Sequence, residues 1–344
     1  MNSKPILLDS LHICMGGGLN LLNYLIFNLL NRKINFVLLK DIRCPRLLYE
    51  ENIDNIVEMD ASIRRRKYFY KVHKNDFSFV LCFGNIPAPI KMPCKVYTYV
   101  HNVNLLKIPQ DFPWKRKFIN LLKQRFIAFL GNNTDGWIVQ TSNMETCLKR
   151  TLPYKGKSVL ILPFYNIPEC FKKQKNNQVE RTGYVLVGDH TGTRGHKELL
   201  EAMRILKQKG FTPKLHLTVS ECNPFVHEIK LAIRDGIQIE NHGIIPFEQL
   251  AGVYGLCKAT IYPSINESLG LGLIEAVEAG CDVIVSDLPF AHAICRPSEV
   301  FVHRTPEEIA DAIIRYEDGL SKKSELIIHN CIEELLDLLV ENIV

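Results

Sequence analysis

The stretch Ile261–Asp287, IYPSINESLGLGLIEAVEAGCDVIVSD, decides how the chain is read. An apolar run ends at Pro263 and Ser264, Glu267 follows in a polar loop, and Leu269, Leu271, Leu273 and Ile274 then set up a periodic segment. This is the pattern of strand, loop, helix, strand. Gly270 and Gly272 let a ligand approach the backbone where the helix begins, and the free N–H groups and dipole at that point favour an anion. Seven residues separate Glu267 from Glu275, which places one in the loop and the other in the first helical turns, both able to face one bound molecule. Carboxylates repel phosphate, so they suit hydroxyl groups beside it. A molecule with phosphate at its centre and hydroxyl-rich rings at both ends satisfies the set, and that describes a nucleotide-sugar. The competing reading is an ordinary βαβ crossover whose acids are solvated or cap a helix.

PSINESLGLGLIEA, followed by GCDVIVSDLPF, resembles the donor-site signature of family 4 glycosyltransferases, the retaining enzymes of the GT-B fold. The resemblance implies that Glu267 contacts the transferred sugar and acts in catalysis, that Glu275 binds the nucleotide ribose, and that the backbone of Ser268, Leu269, Gly270, Leu271 and Gly272 holds the diphosphate. Such enzymes usually carry a glycine-arginine pair and then a lysine earlier in the donor domain. Gly188 and Lys197 match, whereas Asp189 stands where the arginine is expected; Arg194 and His196, in the same loop, are the residues available to replace its charge. A histidine at a strand end often lines the sugar and acceptor site in this family, which makes His101, followed by Asn102, the second catalytic candidate. The alternative is a structural histidine bonded to a loop carbonyl. GWIVQTSNMETCLKR, residues 136–150, resembles the last strand-helix unit of the family's N-terminal domain, and the loop at 242–246 takes the place that borders the nucleotide base. No role is assigned to His292, which lies where many relatives have a nearby glutamate. The resemblance implies no metal and no cofactor.

At 344 residues the chain exceeds what one core usually holds, and 47% apolar and 23% charged content indicates a soluble globular protein. Its eleven cysteines show no zinc-like spacing and read as thiols of a reducing compartment. The net charge of +5 conceals a division: residues 1–170 hold 24 Lys+Arg against 12 Asp+Glu, and the remainder hold 18 against 25. The basic runs Arg64–Lys67 and Trp114–Lys117, with Tyr68, Phe69, Tyr70, Phe112 and Phe118 nearby, suit either an anionic membrane surface or plain solvent. No recognisable nucleic-acid module accompanies the charge. No secretory signal is evident, and the apolar segment Leu19–Leu30 is too short to span a bilayer, so any membrane contact is expected to be peripheral.

Along the chain, strands are expected at Pro5–Leu8, Ile34–Leu39, Phe77–Phe83, Lys95–Val100 and Gly136–Gln140, and helices at Leu19–Asn31, Phe112–Leu130 and Asn143–Arg150. Gly16, Gly17 and Gly18 read as a turn lining a cleft. Asp41 invites a dinucleotide-binding alternative, but Leu21 stands where that pattern needs its third glycine. Residues 42–76 resist assignment. The proline-punctuated, polar region 153–181 reads as a domain boundary. A second strand-helix series follows, with helices at Glu198–Gln208, Phe225–Asp235, Phe247–Cys257 and Pro306–Tyr316 and a last one over Ser321–Val344.

The sequence therefore leads to an α/β protein of GT-B type with two doubly wound Rossmann-like domains facing a cleft: an acceptor domain at 1–168, a donor domain at 182–325, and a terminal helix at 326–344 packing back on the first. The expected function is transfer of a hexose from a UDP- or GDP-linked donor to a saccharide or lipid-linked saccharide. It is placed at the cytoplasmic face of the membrane, in lipopolysaccharide, O-antigen or capsule synthesis. A nucleotide-sugar epimerase, a phosphorylase and a non-catalytic scaffold are the alternatives.

Overall fold

The computed structural model describes residues 4–108, 112–152, 156–176 and 180–341. The chain forms two compact units, one made of Met1–Asn166 with His329–Val344 and the other of Ile167–Ile328.

The first unit is built on a seven-stranded parallel sheet. Its elements are β1 (Ile6–Asp9), α1 (Gly16–Asn31), β2 (Phe36–Asp41), β3 (Ile56–Met59), α2 (Ile63–Val72), β4 (Phe79–Cys82), β5 (Lys95–Val100), α3 (Trp114–Leu130), β6 (Gly136–Val139), α4 (Ser142–Thr151) and β7 (Ser158–Ile161). The strand order is β3-β2-β1-β4-β5-β6-β7. β1, β4 and β6 are buried at every position, as apolar runs covered by helices on both faces require. The order reverses between β1 and β4, and the loops leaving those strands define one end of the sheet as a ligand edge.

Two sequence expectations change here, and the dinucleotide alternative loses its acid. Gly16–Gly18 are not a free turn but the first turn of α1, with Gly16 at a φ of +65°. The basic run of α2 is not one solvated patch: Arg66 is 5% exposed, and its Nε donates to Asp9 Oδ2 at 2.8 Å, while Phe69 and Tyr70 are also buried. Asp41, the acid of the dinucleotide alternative, is buried and occupied by Arg43 and by the His12 amide, which hold its carboxyl far below the usual range. It has no oxygen to spare for a ribose.

The second unit contains α5 (Glu169–Lys175), β8 (Gly183–Leu186), α6 (His196–Gln208), β9 (Leu215–Leu217), α7 (Val226–Arg234), β10 (Ile239–Asn241), α8 (Phe247–Leu256), β11 (Cys257–Tyr262), α9 (Leu271–Glu278), β12 (Asp282–Ser286), α10 (Pro289–His292), β13 (Cys295–Arg296), β14 (Glu299–Phe301), α11 (Pro306–Glu317) and β15 (Glu325–Leu326). Its main sheet is parallel, in the order β10-β9-β8-β11-β12-β14, and β13 pairs antiparallel with β15. Arg181 lies in the Pro-rich, polar region read as a boundary. It donates to the carbonyls of Gln174 and Ala279 at 2.8 Å each, tying α5 to the end of α9.

The final helix, α12 (Ile332–Val340), belongs to the first unit, where Asn330 Nδ2 donates to the Tyr165 carbonyl and Arg32 pairs with Asp337. The segment before it is not helical as expected from Ser321; β15 occupies part of it, because Ile327 and Ile328 direct their amides to the Ile294 carbonyl. Pro153 and residues 177–179 of the expected boundary, and 342–344 of the expected last helix, lie outside the described residues.

Candidate active site

In the second sheet the strand order reverses between β8 and β11. The loops that leave these two strands, 187–195 and 263–270, carry Gly188, Arg194, Glu267, Ser268, Leu269 and Gly270, and the helices they lead into, α6 and α9, carry Lys197, Leu271, Gly272 and Glu275, so chain topology places the donor-site candidates side by side at the carboxyl edge. The Ile265 amide donates to the Thr193 carbonyl at 3.0 Å and joins the loops directly.

Arg194 is the centre of this arrangement. Its Nη1 donates to the Val187 carbonyl at 2.9 Å, and the guanidinium lies over Gly188 so closely that a Cβ there would fall 1.9 Å from Nη1. Gly188 also has a φ of +108°, so close approach and backbone geometry both demand glycine. Burial opposes the Arg194 charge, but Tyr262, Glu267, Tyr254 and Glu275 around it outweigh that and raise its pKa. One cation thus senses both glutamates of the central motif.

Asp189, in the position expected for arginine, turns aside. Its Oδ1 accepts from Asn223 Nδ2 at 2.8 Å and from the Ser220 amide at 3.2 Å. His196 does not replace the missing charge either. It is 1% exposed, its Nε2 lies 3.0 Å from the Gly188 carbonyl, and burial with His190 nearby pushes its pKa down to about 4. Lys197 is exposed in the first turn of α6, where a cation opposes the helix dipole.

Glu267 is half-buried and fixed at one oxygen: Ser264 Oγ donates to Oε1 at 2.8 Å, and Tyr262 also bonds to this carboxylate. Gly270 caps α9 at a φ of +61°, and the first-turn amides of Leu271 and Gly272 have no acceptor within the helix by its geometry. No acidic side chain lies in that turn, so nothing there competes with a bound anion. Glu275 is one turn further on. The Tyr254 hydroxyl donates to its Oε2 at 3.3 Å, and burial pushes its pKa up to about 7 against the opposing effects of Tyr254 and Arg194. Ser268 and Leu269 lie between the two glutamates, with Leu269 buried.

In the first unit, His101 follows β5 and is half-buried. Its ring stacks on Phe83 with centroids 5.2 Å apart, and Nε2 lies 3.2 Å from the Phe83 carbonyl and 3.1 Å from Asn85 Nδ2. Burial pushes its pKa down to about 4, so the ring is neutral at physiological pH. Asn85 Oδ1 accepts from the amides of both His101 and Asn102, at 2.8 and 3.0 Å. A Cβ on Gly18 would lie 3.0 Å from the His101 ring, so the start of α1 and this histidine meet. Sequence reasoning missed Asn85, whose signal was its position in the Gly84–Pro93 loop, and Tyr254 and Tyr262, which resemble any buried aromatic.

Residues 168–330, a span that coincides with the second unit to within two residues, match the family described as Glycosyl transferases group 1. A sequence relative is the O-antigen chain mannosyltransferase RfbU of Salmonella typhimurium, 29% identical over 89 residues; the alignment spans 23% of this chain and 25% of that relative's length. Sucrose-phosphate synthase from Thermosynechococcus elongatus is similar in structure, with a TM-score of 0.67 and 16% identity over 92% of this chain and 90% of that one. Anabaena HepE, solved with UDP and glucose, has a TM-score of 0.64 at 13% identity, covering 92% and 90% of the two chains. These likenesses establish the GT-B fold.

Proposed function

We propose that this chain, whose second unit matches the glycosyltransferase group 1 family, transfers a hexose from a UDP- or GDP-linked donor to an acceptor hydroxyl with retention of configuration, in the assembly of a bacterial surface polysaccharide. The observation that carries the reading is the convergence of Arg194 with Glu267 and Glu275 beside the start of α9. In this reading Arg194, Lys197 and the first-turn amides of α9 hold the diphosphate, Glu275 accepts from the ribose hydroxyls, and Glu267 accepts from the sugar. The bond between the anomeric carbon and the diphosphate oxygen breaks as the acceptor oxygen bonds on the same face, and the acceptor proton leaves with the diphosphate. Stabilising that departing charge is the main catalytic service required. The pathway reading draws on the O-antigen relative, and the donor reading on the neighbour solved with UDP and glucose.

The first unit is assigned to the acceptor, with Gly16–Gly18, His101 and Asn102 as its contacts. Because His101 is neutral, its service there is hydrogen bonding and not charge. We further assign α3 to an anionic membrane surface. Trp114, Phe118, Leu121, Leu122 and Phe129 are all exposed on it, at helical spacing, among Lys115, Arg116, Lys117, Lys123 and Arg125, and the helix has no acidic residue. No helix among the described residues is long and apolar enough to cross a membrane.

Nucleotide release from a panel of UDP- and GDP-sugars, with and without a membrane extract, tests the central reading. Release should depend on one donor and fall at least about 100-fold in Glu267→Ala, the scale of losing one preorganised contact to the reacting group. The second reading, a non-catalytic scaffold, is favoured by Asp189 in the arginine position; it requires that neither UDP nor GDP bind saturably.

A further inference from the structure

At the start of the loop 242–246, one face of the edge pair β9–β10 carries polar side chains where a parallel sheet usually carries aliphatic ones. His216 and Glu240 are register partners across this pair, and His242, two residues beyond Glu240, falls on the same face by strand alternation. His216 Nδ1 lies 3.0 Å from His242 Nε2 and 3.8 Å from Glu240 Oε2, while His242 Nδ1 lies 3.7 Å from Glu240 Oε1. One ligating atom from each residue falls within 4.8 Å of the other two. His216 is 3% exposed and occupies space left by Gly183 on β8, where a Cβ would come 3.0 Å from the imidazole.

We propose that His216, Glu240 and His242 bind one divalent first-row transition ion, with zinc as the ion this ligand set fits best. Two imidazole nitrogens and one carboxylate oxygen are a zinc ligand class, and three protein ligands leave a fourth position for water. With metal–nitrogen bonds of about 2.0–2.1 Å, tetrahedral corners lie about 3.3–3.4 Å apart. The close imidazole pair must therefore open by a few tenths of an ångström, and the carboxylate oxygen must close in from within 4.8 Å. Glu240 is exposed and His242 half-buried, so both have room for that adjustment, and the buried His216 serves as the fixed point. Lys214 Nζ lies 2.5 Å from Glu240 Oε2 and competes for that oxygen, but a pair with both side chains nearly half exposed is weakly held and leaves Oε1 free. The ion would clip the edge strand to its neighbour and anchor the start of the loop that runs through Gly243 into α8.

The exposed thiol of Cys222 is the competing ligand that a test must separate. Chelator-treated full-length protein titrated with Co2+ should show one saturable set of visible ligand-field bands without thiolate charge transfer. The bands should vanish in His242→Gln and Glu240→Gln and persist in Cys222→Ser. Zn2+ should raise the Tm of the wild type and of Cys222→Ser, reversibly with EDTA, and leave that of His242→Gln unmoved. Bands or a Tm shift that survive in His242→Gln, that disappear in Cys222→Ser, or that are absent from the wild type would overturn the proposal. The metal-free Tm of His242→Gln reports that this variant is folded.

Discussion

Glu275 combines burial with a proposed task, accepting from ribose hydroxyls, that needs charge. With its pKa pushed up to about 7 from an ordinary 4.5, it is protonated on the acid side of neutrality and ionised above it. Only the carboxylate accepts freely from a ribose diol, so UDP or GDP affinity should rise as pH increases through 7. Glu275→Gln should lose that step and keep only the nucleotide's own phosphate titration; a wild-type to Gln ratio of Kd that is constant across pH 7 would refute the assignment. Stability runs the other way. Between 4.5 and about 7 the folded state holds a proton that the unfolded chain has released, so this residue's contribution falls as pH rises through the window. Arg194→Met should weaken nucleotide binding about 10- to 150-fold, the equivalent of one charge-assisted contact of about 1.5–3 kcal/mol. Asp189→Ala should change it little, because that carboxylate is engaged by Ser220 and Asn223. That one glutamate lies in the loop and the other in the helix after it was legible from their spacing. That burial leaves His196 neutral while Arg194 keeps its charge near the two glutamates was not, since their loop is coiled through turns and a bond to Ile265 that no periodicity records.

Elements were legible wherever burial on two faces forces an unbroken apolar run, as in β4, β6 and β12. They were missed where local composition points elsewhere. β7, SVLI, was absorbed into a proline-rich boundary, yet it is the sheet's last strand, half-exposed as an edge allows. The three glycines of α1 suggested a turn, but the helix accepts them because packing against His101 rewards the lack of a side chain at Gly18. α3 shows the opposite case, an element whose outline was clear and whose orientation was not. Only Asn120, Ile127 and Leu130 are buried along it, so its aromatic stripe faces outward. A Phe or Leu side chain moved from water into an apolar boundary contributes about 1.5–3 kcal/mol, and each cation near an anionic surface about 1 kcal/mol. Phe118→Ser should therefore reduce sedimentation with phosphatidylglycerol vesicles about tenfold or more, while neutral vesicles bind poorly in both cases. Equal binding by wild type and variant would remove α3 from the interface.

The chain leaves its first unit at Asn166, completes the second, and returns at His329. That return has a thermodynamic consequence. α12 buries Ile332, Leu335, Leu336 and Leu339, all at 6% exposure or less, and Asn330 and Cys331 add bonds to Tyr165 and Pro163. Four such side chains amount to about 6–12 kcal/mol at about 1.5–3 kcal/mol each, comparable to the roughly 5–15 kcal/mol by which a whole domain is stable. Deleting residues 329–344 should therefore unfold the first unit, though its sheet lies more than 160 residues upstream in the chain. The second unit has its own buried cluster around Leu199, Met203, Leu217 and Ile313, and none of that cluster comes from the deleted segment. Amide hydrogen exchange read by mass spectrometry should then show peptides of β1, β4 and β5 losing protection in the deletion while those of β8, β11 and β12 keep it. Loss of protection in both sets would mean that the second unit is stable only with the first intact; retention in both would mean that the α12 contacts contribute far less than their burial implies.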